Sequence, residues 1–206
     1  MKKYFAALSA AALLGSASFA VAASSTDLTV TGLITPEACV PSLSSGGIID
    51  VGKKLAKDLH PTNHTRLGIY PIQLTVACDG PMTLVVTGVD NRPGTGSSGT
   101  WYGLGLTNAG ERLGTVNVKA KTAVADGETV RLIESVNDGA TWRAANWLYP
   151  SYQLSVSSPT DLTTPIAVKD LAAELDIYVN IAPANGLTLT DDVQIDGHAT
   201  FELTYI

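Results

Sequence analysis

Basic side chains are scarce in this chain of 206 residues, which carries 13 Lys and Arg against 19 Asp and Glu. They form no long basic run, and this excludes the phosphate-neutralising patch that nucleic acid or an anionic membrane surface would need. Histidine occurs three times, at His60, His64 and His198. His60 and His64 flank Pro61-Thr62-Asn63, and Pro61 opposes the helix that would bring two such histidines onto one metal-binding face. They are expected on a surface loop, with no metal and no cofactor. There is no Gly-x-Ser-x-Gly elbow, no P-loop and no Cys-x-x-Cys, so nucleophilic, phosphoryl-transfer and dithiol chemistries lack their usual signatures. Asp191-Asp192, Glu174 and Asp176 are scattered acids, with Asp191-Asp192 expected in a solvated turn. The chain is not expected to be an enzyme.

Long hydrophobic runs are also missing, apart from Ala6 to Gly15. That run follows Lys2-Lys3 and precedes the small residues Ala20-Val21-Ala22, the layout of a cleaved signal peptide over residues 1–22. It is too short to span a bilayer as a helix. Without Lys2 and Lys3, 11 basic and 19 acidic side chains remain, a net charge of −8. Residues 23–206 suit a single exported domain with no membrane span after cleavage.

Cysteine is limited to Cys39 and Cys78. An even count in an exported chain points to one disulfide, since the compartment is oxidising and neither cysteine has the neighbours of a redox or metal motif.

What the chain does have is alternation. Leu28, Val30, Gly32 and Ile34 alternate with Thr29, Thr31 and Thr35 up to Pro36. Arg66 to Cys78 alternates through Leu67, Ile69, Ile72, Leu74 and Val76, with Pro71 implying an edge or a bulge. Asp79-Gly80-Pro81 reads as a turn before Met82 to Val89, and Ile48 to Val51 as a short strand. Further strands are expected at Trp101–Leu106, Leu113–Lys121, Val130–Val136, Tyr152–Val156, Ile166–Val168, Leu171–Ile181 and Val193–Ile206. Leu171 to Leu175 has helical flavour but is too short for a helix. Asn137-Asp138-Gly139 is a hairpin signal that lets Thr141 to Trp147 pair back. Many short strands with frequent turns predict a single all-β sandwich or barrel. At the end of the chain Ala199, Phe201, Leu203 and Tyr205 occupy one face of a strand, a sheet edge in need of a partner.

Two stretches, Val30-Thr-Gly-Leu-Ile-Thr-Pro-Glu-Ala-Cys39 and Ile72-Gln-Leu-Thr-Val-Ala-Cys78, resemble the first two cysteine-bearing strands of chaperone–usher pilins. Asp50-Val-Gly52, Gly103-Leu-Gly-Leu106 and the terminal Phe201-x-Leu203-x-Tyr205-Ile206 fall in the same order as that family's motifs. The opening looks most like a longer, uncharacterised fimbrial-type branch. The resemblance implies an immunoglobulin-like β-sandwich that lacks its last strand. It implies a periplasmic chaperone and an outer-membrane usher as partners, then neighbouring fimbrial subunits, with the surface fibre as destination and adhesion as role. It assigns Ala199, Phe201, Leu203 and Tyr205 to the groove edge that receives a donated strand; in a complete sandwich they would be ordinary core residues.

The chain departs from the pilin pattern at its start. Ala23 to Asp27 carries no apolar alternation and reaches at most about 18 Å. Either Leu28 to Ile34 doubles as the donor or the subunit accepts without donating, and self-complementation is a third arrangement. Trp101, Tyr102, Trp142 and Trp147, with Tyr149 and Tyr152 nearby, are candidates for a ligand platform beside Gly-rich loops, or for packing on the sandwich. On the platform reading the chain is a free-standing exported carbohydrate- or surface-binding module. Asn63-His64-Thr65 matches a glycosylation sequon that arises easily by chance.

Overall fold

A computed structural model describes residues 39–206. The signal-type segment and the expected first strand at Leu28 to Ile34 lie outside the described residues. Strand is the dominant element: β1 Cys39–Leu43, β2 Thr65–Asp90, β3 Tyr102–Gly103, β4 Gly114–Ala125, β5 Glu128–Ser135, β6 Arg143–Ala144, β7 Trp147–Leu148, β8 Gln153–Ser157, β9 Ala167–Ile181 and β10 Ala199–Tyr205. The helical content of the described residues is three short 3-10 turns, and no helix among them is long and apolar enough to cross a membrane.

Hydrogen bonding draws a closed ring rather than two separate sheets. β2 pairs with β9, β9 with β4, β4 with β5, β5 with β8, and β8 returns to β2. All of these pairings are antiparallel, so the wall is a small barrel. The remaining strands attach to this ring: β1 and β10 to β2, β3 and β7 to β4, and β6 to β5.

The ring closes because β2 is long enough to serve both sides. The turn expected at Asp79-Gly80-Pro81 does not reverse the chain; instead the register against β9 shifts between Ala77 and Met82. A bulge of this kind bends and twists a strand without ending it. Ile72, Leu74, Val76 and Cys78 alternate into the core, whereas Leu84, Val85 and Val86 are buried consecutively. Successive side chains face opposite ways, so both faces of that stretch are covered. Val85 packs outward with Ile133, Trp142 and Leu162.

Pro71 has a place on this strand because of what lies beside it. The Gln73 N–H donates to Ser44 Oγ, on the side occupied by β1. Pro71, two residues earlier, faces the same way, beyond the last β1 pair, Leu43 with Leu74. Its missing N–H therefore costs no ladder bond.

Leu171, Ala173, Leu175, Ile177, Val179 and Ile181 are all buried, and the residues between them point away. That strict period of two makes Leu171 to Leu175 strand, overriding its helical flavour. Ile48 to Val51 is not a strand; it follows a 3-10 turn in which Ser45, Gly46 and Gly47 all have positive φ. At the predicted hairpin Asp138 and Gly139 have φ of 54° and 82°, and the chain returns only as the short β6, with Ile133 opposite Ala144 and Glu134 opposite Arg143. The strand expected over Val193–Ile206 is confined to β10, and that over Trp101–Leu106 to β3.

Candidate functional site

Cys39 and Cys78 form a disulfide and lie directly opposite each other in the β1–β2 ladder. The bond pins the start of β1 to the middle of β2. β10 continues along β2, from Ala199 opposite Asp90 to Tyr205 opposite Leu84. Both strands run antiparallel to β2, and they meet where the Cys39 N–H donates to the Tyr205 hydroxyl at 3.1 Å. One edge of β2 is thus filled by β1 and then β10, the other by β9 and then β8.

The orientation of β10 follows from its end bonds. The His198 carbonyl accepts the Asn91 N–H at 3.0 Å, and the Ile206 N–H donates to the Thr83 carbonyl at 3.1 Å. In an antiparallel ladder alternate residues bond to the same neighbour, so Thr200, Glu202 and Thr204 direct their backbone groups at β2. The backbone groups of Ala199, Phe201, Leu203 and Tyr205 point the other way, and among the described residues no strand pairs with that side. Phe201 and Leu203 lay half-buried side chains on the core, while Ala199 and Tyr205 are exposed.

Beneath this edge lies an apolar cleft of about 260 Å³. Leu43, Ile49, Val51, Ile195 and Phe201 line it, together with the buried Tyr102 and Val118. The approach to β10 is tied down at several points. The Glu111 carboxylate accepts from Thr107 Oγ1 at 2.6 Å and from Thr188 N and Oγ1, both at 2.7 Å. These bonds, the Thr107 hydroxyl first, hold its pKa below the ordinary carboxylate value. Arg92 forks onto Asp196 through Nε and Nη2, at 2.9 and 2.8 Å. Asn91 Nδ2 donates to Thr200 Oγ1 at 2.8 Å.

The four aromatic candidates separate. Tyr102 and Trp142 are buried. The Tyr102 hydroxyl has no hydrogen-bond partner, and burial, with the Asp90 carboxylate adding to it, pushes the phenol above its ordinary pKa. Trp101 and Trp147 meet edge to face at 5.2 Å on the outer surface, where Trp101 also stacks on Tyr149 at 4.3 Å and Tyr149 touches Tyr152 at 5.1 Å. Tyr178, which composition did not bring forward, joins them through Trp147 at 5.7 Å. Its signal was its parity: it lies between the inward residues Ile177 and Val179.

The histidine loop is bonded both within itself and to Ser97. Nδ1 of His60 accepts from the N–H groups of Thr62 and Asn63, and His64 Nε2 lies 3.0 Å from Ser97 Oγ.

Comparison with known proteins adds similarities but no function. Residues 28–122 match the family model described as a protein of unknown function, DUF1120. Among the described strands that match takes in β1, β2, β3 and most of β4. The chain is also similar over nearly its whole length to two proteins of Escherichia coli strain K12. Protein GltF is 29% identical over 242 aligned residues, covering 95% of each chain. Uncharacterized protein YhcF is 24% identical over 234, covering 94% of this chain and 97% of its own.

Proposed function

We propose that this protein is a strand-accepting subunit of a fimbria-type surface fibre. A periplasmic chaperone would hold it through β10 and deliver it to an outer-membrane usher, and a neighbouring subunit would then take the chaperone's place. The observation that carries this reading is the open side of β10, where the backbone groups of Phe201 and Leu203 face outward above an apolar cleft. An added strand gains main-chain hydrogen bonds along such an edge and places alternate side chains in the cleft. An exposed edge is otherwise a route to aggregation, which is a reason for a chaperone to cover it.

The strand order supports an immunoglobulin-like description. On one side β1, β2, β9 and β4 are neighbours; on the other, β10, β2, β8 and β5. Taken as two layers of the ring that share β2, they would leave the place for an added strand beside β10. The formed disulfide fits export to an oxidising compartment.

The test is expression of the mature chain in the periplasm with and without a fimbrial chaperone. The proposal expects aggregation or degradation alone, and a soluble one-to-one complex on co-expression. A soluble monomer alone, with a single cooperative melt and no chaperone complex, would refute it.

A further inference from the structure

Residues 182–198 carry the chain from β9 to β10, and among the described residues no strand pairs with them. The end of this connection also belongs to the apolar cleft: Ile195, Gly197 and His198 line it together with Ala199 and Phe201. The place of this stretch therefore depends on individual bonds rather than on a ladder.

Several of those bonds converge on three consecutive residues at and just beyond the end of β2. Asp90 is opposite Ala199. The Asn91 N–H donates to the His198 carbonyl at 3.0 Å, and Asn91 Nδ2 to Thr200 Oγ1 at 2.8 Å. Arg92 reaches furthest back, forking onto Asp196 through Nε at 2.9 Å and Nη2 at 2.8 Å. Its Nη1 donates to the Asn91 carbonyl at 3.1 Å, so the guanidinium is held from both sides. The backbone that carries it is fixed as well. Asp90 accepts the N–H groups of Arg92 and Gly103, at 2.9 and 3.1 Å. Thr95 Oγ1 donates to the Arg92 carbonyl at 2.8 Å and accepts the Gly105 N–H at 3.1 Å. Gly103 lines the same cleft, and a Cβ on it would collide with Thr95 Oγ1 and the Arg92 carbonyl.

The Arg92 and Asp196 side chains remain 35% and 51% exposed. An ion pair that open adds little to global stability. A bidentate fork does fix geometry more closely than a point charge, so its effect falls on position. We infer that Arg92 is a positioning residue for strand capture: through Asp196 it holds Ile195 to Ala199 so that the open edge of β10 is formed before a partner arrives. The inference rests on the strand-accepting reading of β10. A preformed edge matters because apparent affinity falls with the fraction of molecules in the competent state.

The test compares the parent with Arg92→Gln, with Asp196→Asn, and with the exchanged pair Arg92→Asp and Asp196→Arg. Lys121→Gln, which breaks the Lys121–Asp176 pair between β4 and β9, is the control. Hydrogen exchange on the dilute free chain reads the edge, and titration with a fimbrial chaperone reads capture. In both single variants the Asn91 amide is expected to exchange about fivefold faster, with the β9 amides unchanged. Their affinity for the chaperone is expected to fall by about fivefold. The exchanged pair should recover part of both losses. Lys121→Gln should show neither, although its melting curve shifts as little as theirs. The inference is overturned if Asn91 exchange is unchanged in Arg92→Gln, or if the control shows the same losses. It is overturned equally if the parent binds the chaperone and Arg92→Gln binds it as tightly. A parent that binds no chaperone refutes strand acceptance itself, and the inference falls with it.

Discussion

The hydroxyl of Tyr205 accepts the backbone N–H of Cys39, joining the last strand to the first described one across 166 positions of sequence. This bond closes the seam along one edge of β2. Tyr205→Phe keeps the ring and removes the acceptor. The site is exposed, so the expected loss is about 1 kcal/mol or less in a denaturant titration. A loss of several kcal/mol would mean that the seam is held by more than this contact.

The disulfide closes a loop with a sequence separation of 39. The chain-entropy model gives about 4 kcal/mol for a loop of that length. Cys39→Ser should lower the midpoint of chemical unfolding accordingly and reduce the yield of exported protein. Wild-type yield and midpoint would show that the β1–β2 ladder forms without the covalent bond.

Tyr102 holds its hydroxyl in the core with no hydrogen-bond partner. Burying an unpaired hydroxyl is unfavourable, so Tyr102→Phe should leave stability unchanged or raise it by about 1–2 kcal/mol. The same oxygen lies against Gly88, and a Cβ there would collide with it. Gly88→Ala should therefore destabilise the parent and be partly rescued in Tyr102→Phe, a coupling that a double-mutant cycle reads directly. A destabilised Tyr102→Phe would reveal a partner for the hydroxyl.

Glu111 ties Thr107 to Thr188 and titrates below the ordinary carboxylate value. Because its folded pKa is depressed, the stabilisation is present above the ordinary value and is lost as pH falls through the depressed one. NMR should show the amides around Thr188 moving at acid pH with the Glu111 carboxyl, while Glu111→Gln should abolish that transition. An unchanged acid transition in the variant would assign it to another group.

Much of this was legible in the residues, and the reason lies in period and partners. The alternation of Ile72, Leu74, Val76 and Cys78, and of Phe201 and Leu203, gave the right faces because each strand has one wet side. The disulfide could be read because two cysteines allow a single pairing. The unbroken passage of β2 through Asp79-Gly80-Pro81 could not, since whether Gly-Pro turns or merely bulges depends on β9 lying alongside. The aromatic cluster needed three dimensions for the same reason: Trp101 precedes β3, Trp147 is on β7 and Tyr178 on β9, and only β4, which pairs with all three strands, brings them together. Tyr102 and Trp142 carry similar local sequence cues yet are buried.

The most direct measurement of the central claim is residue-resolved hydrogen exchange along β10, for the chain alone and in complex with a fimbrial chaperone. In the free chain the amides of Glu202 and Thr204, which face β2, should be slow, and those of Phe201 and Leu203, which face the open side, fast. In the complex Phe201 and Leu203 should slow markedly while Glu202 and Thr204 change little. Protection of Phe201 and Leu203 already present in the free monomer, or exchange unaltered by the chaperone, would contradict the account.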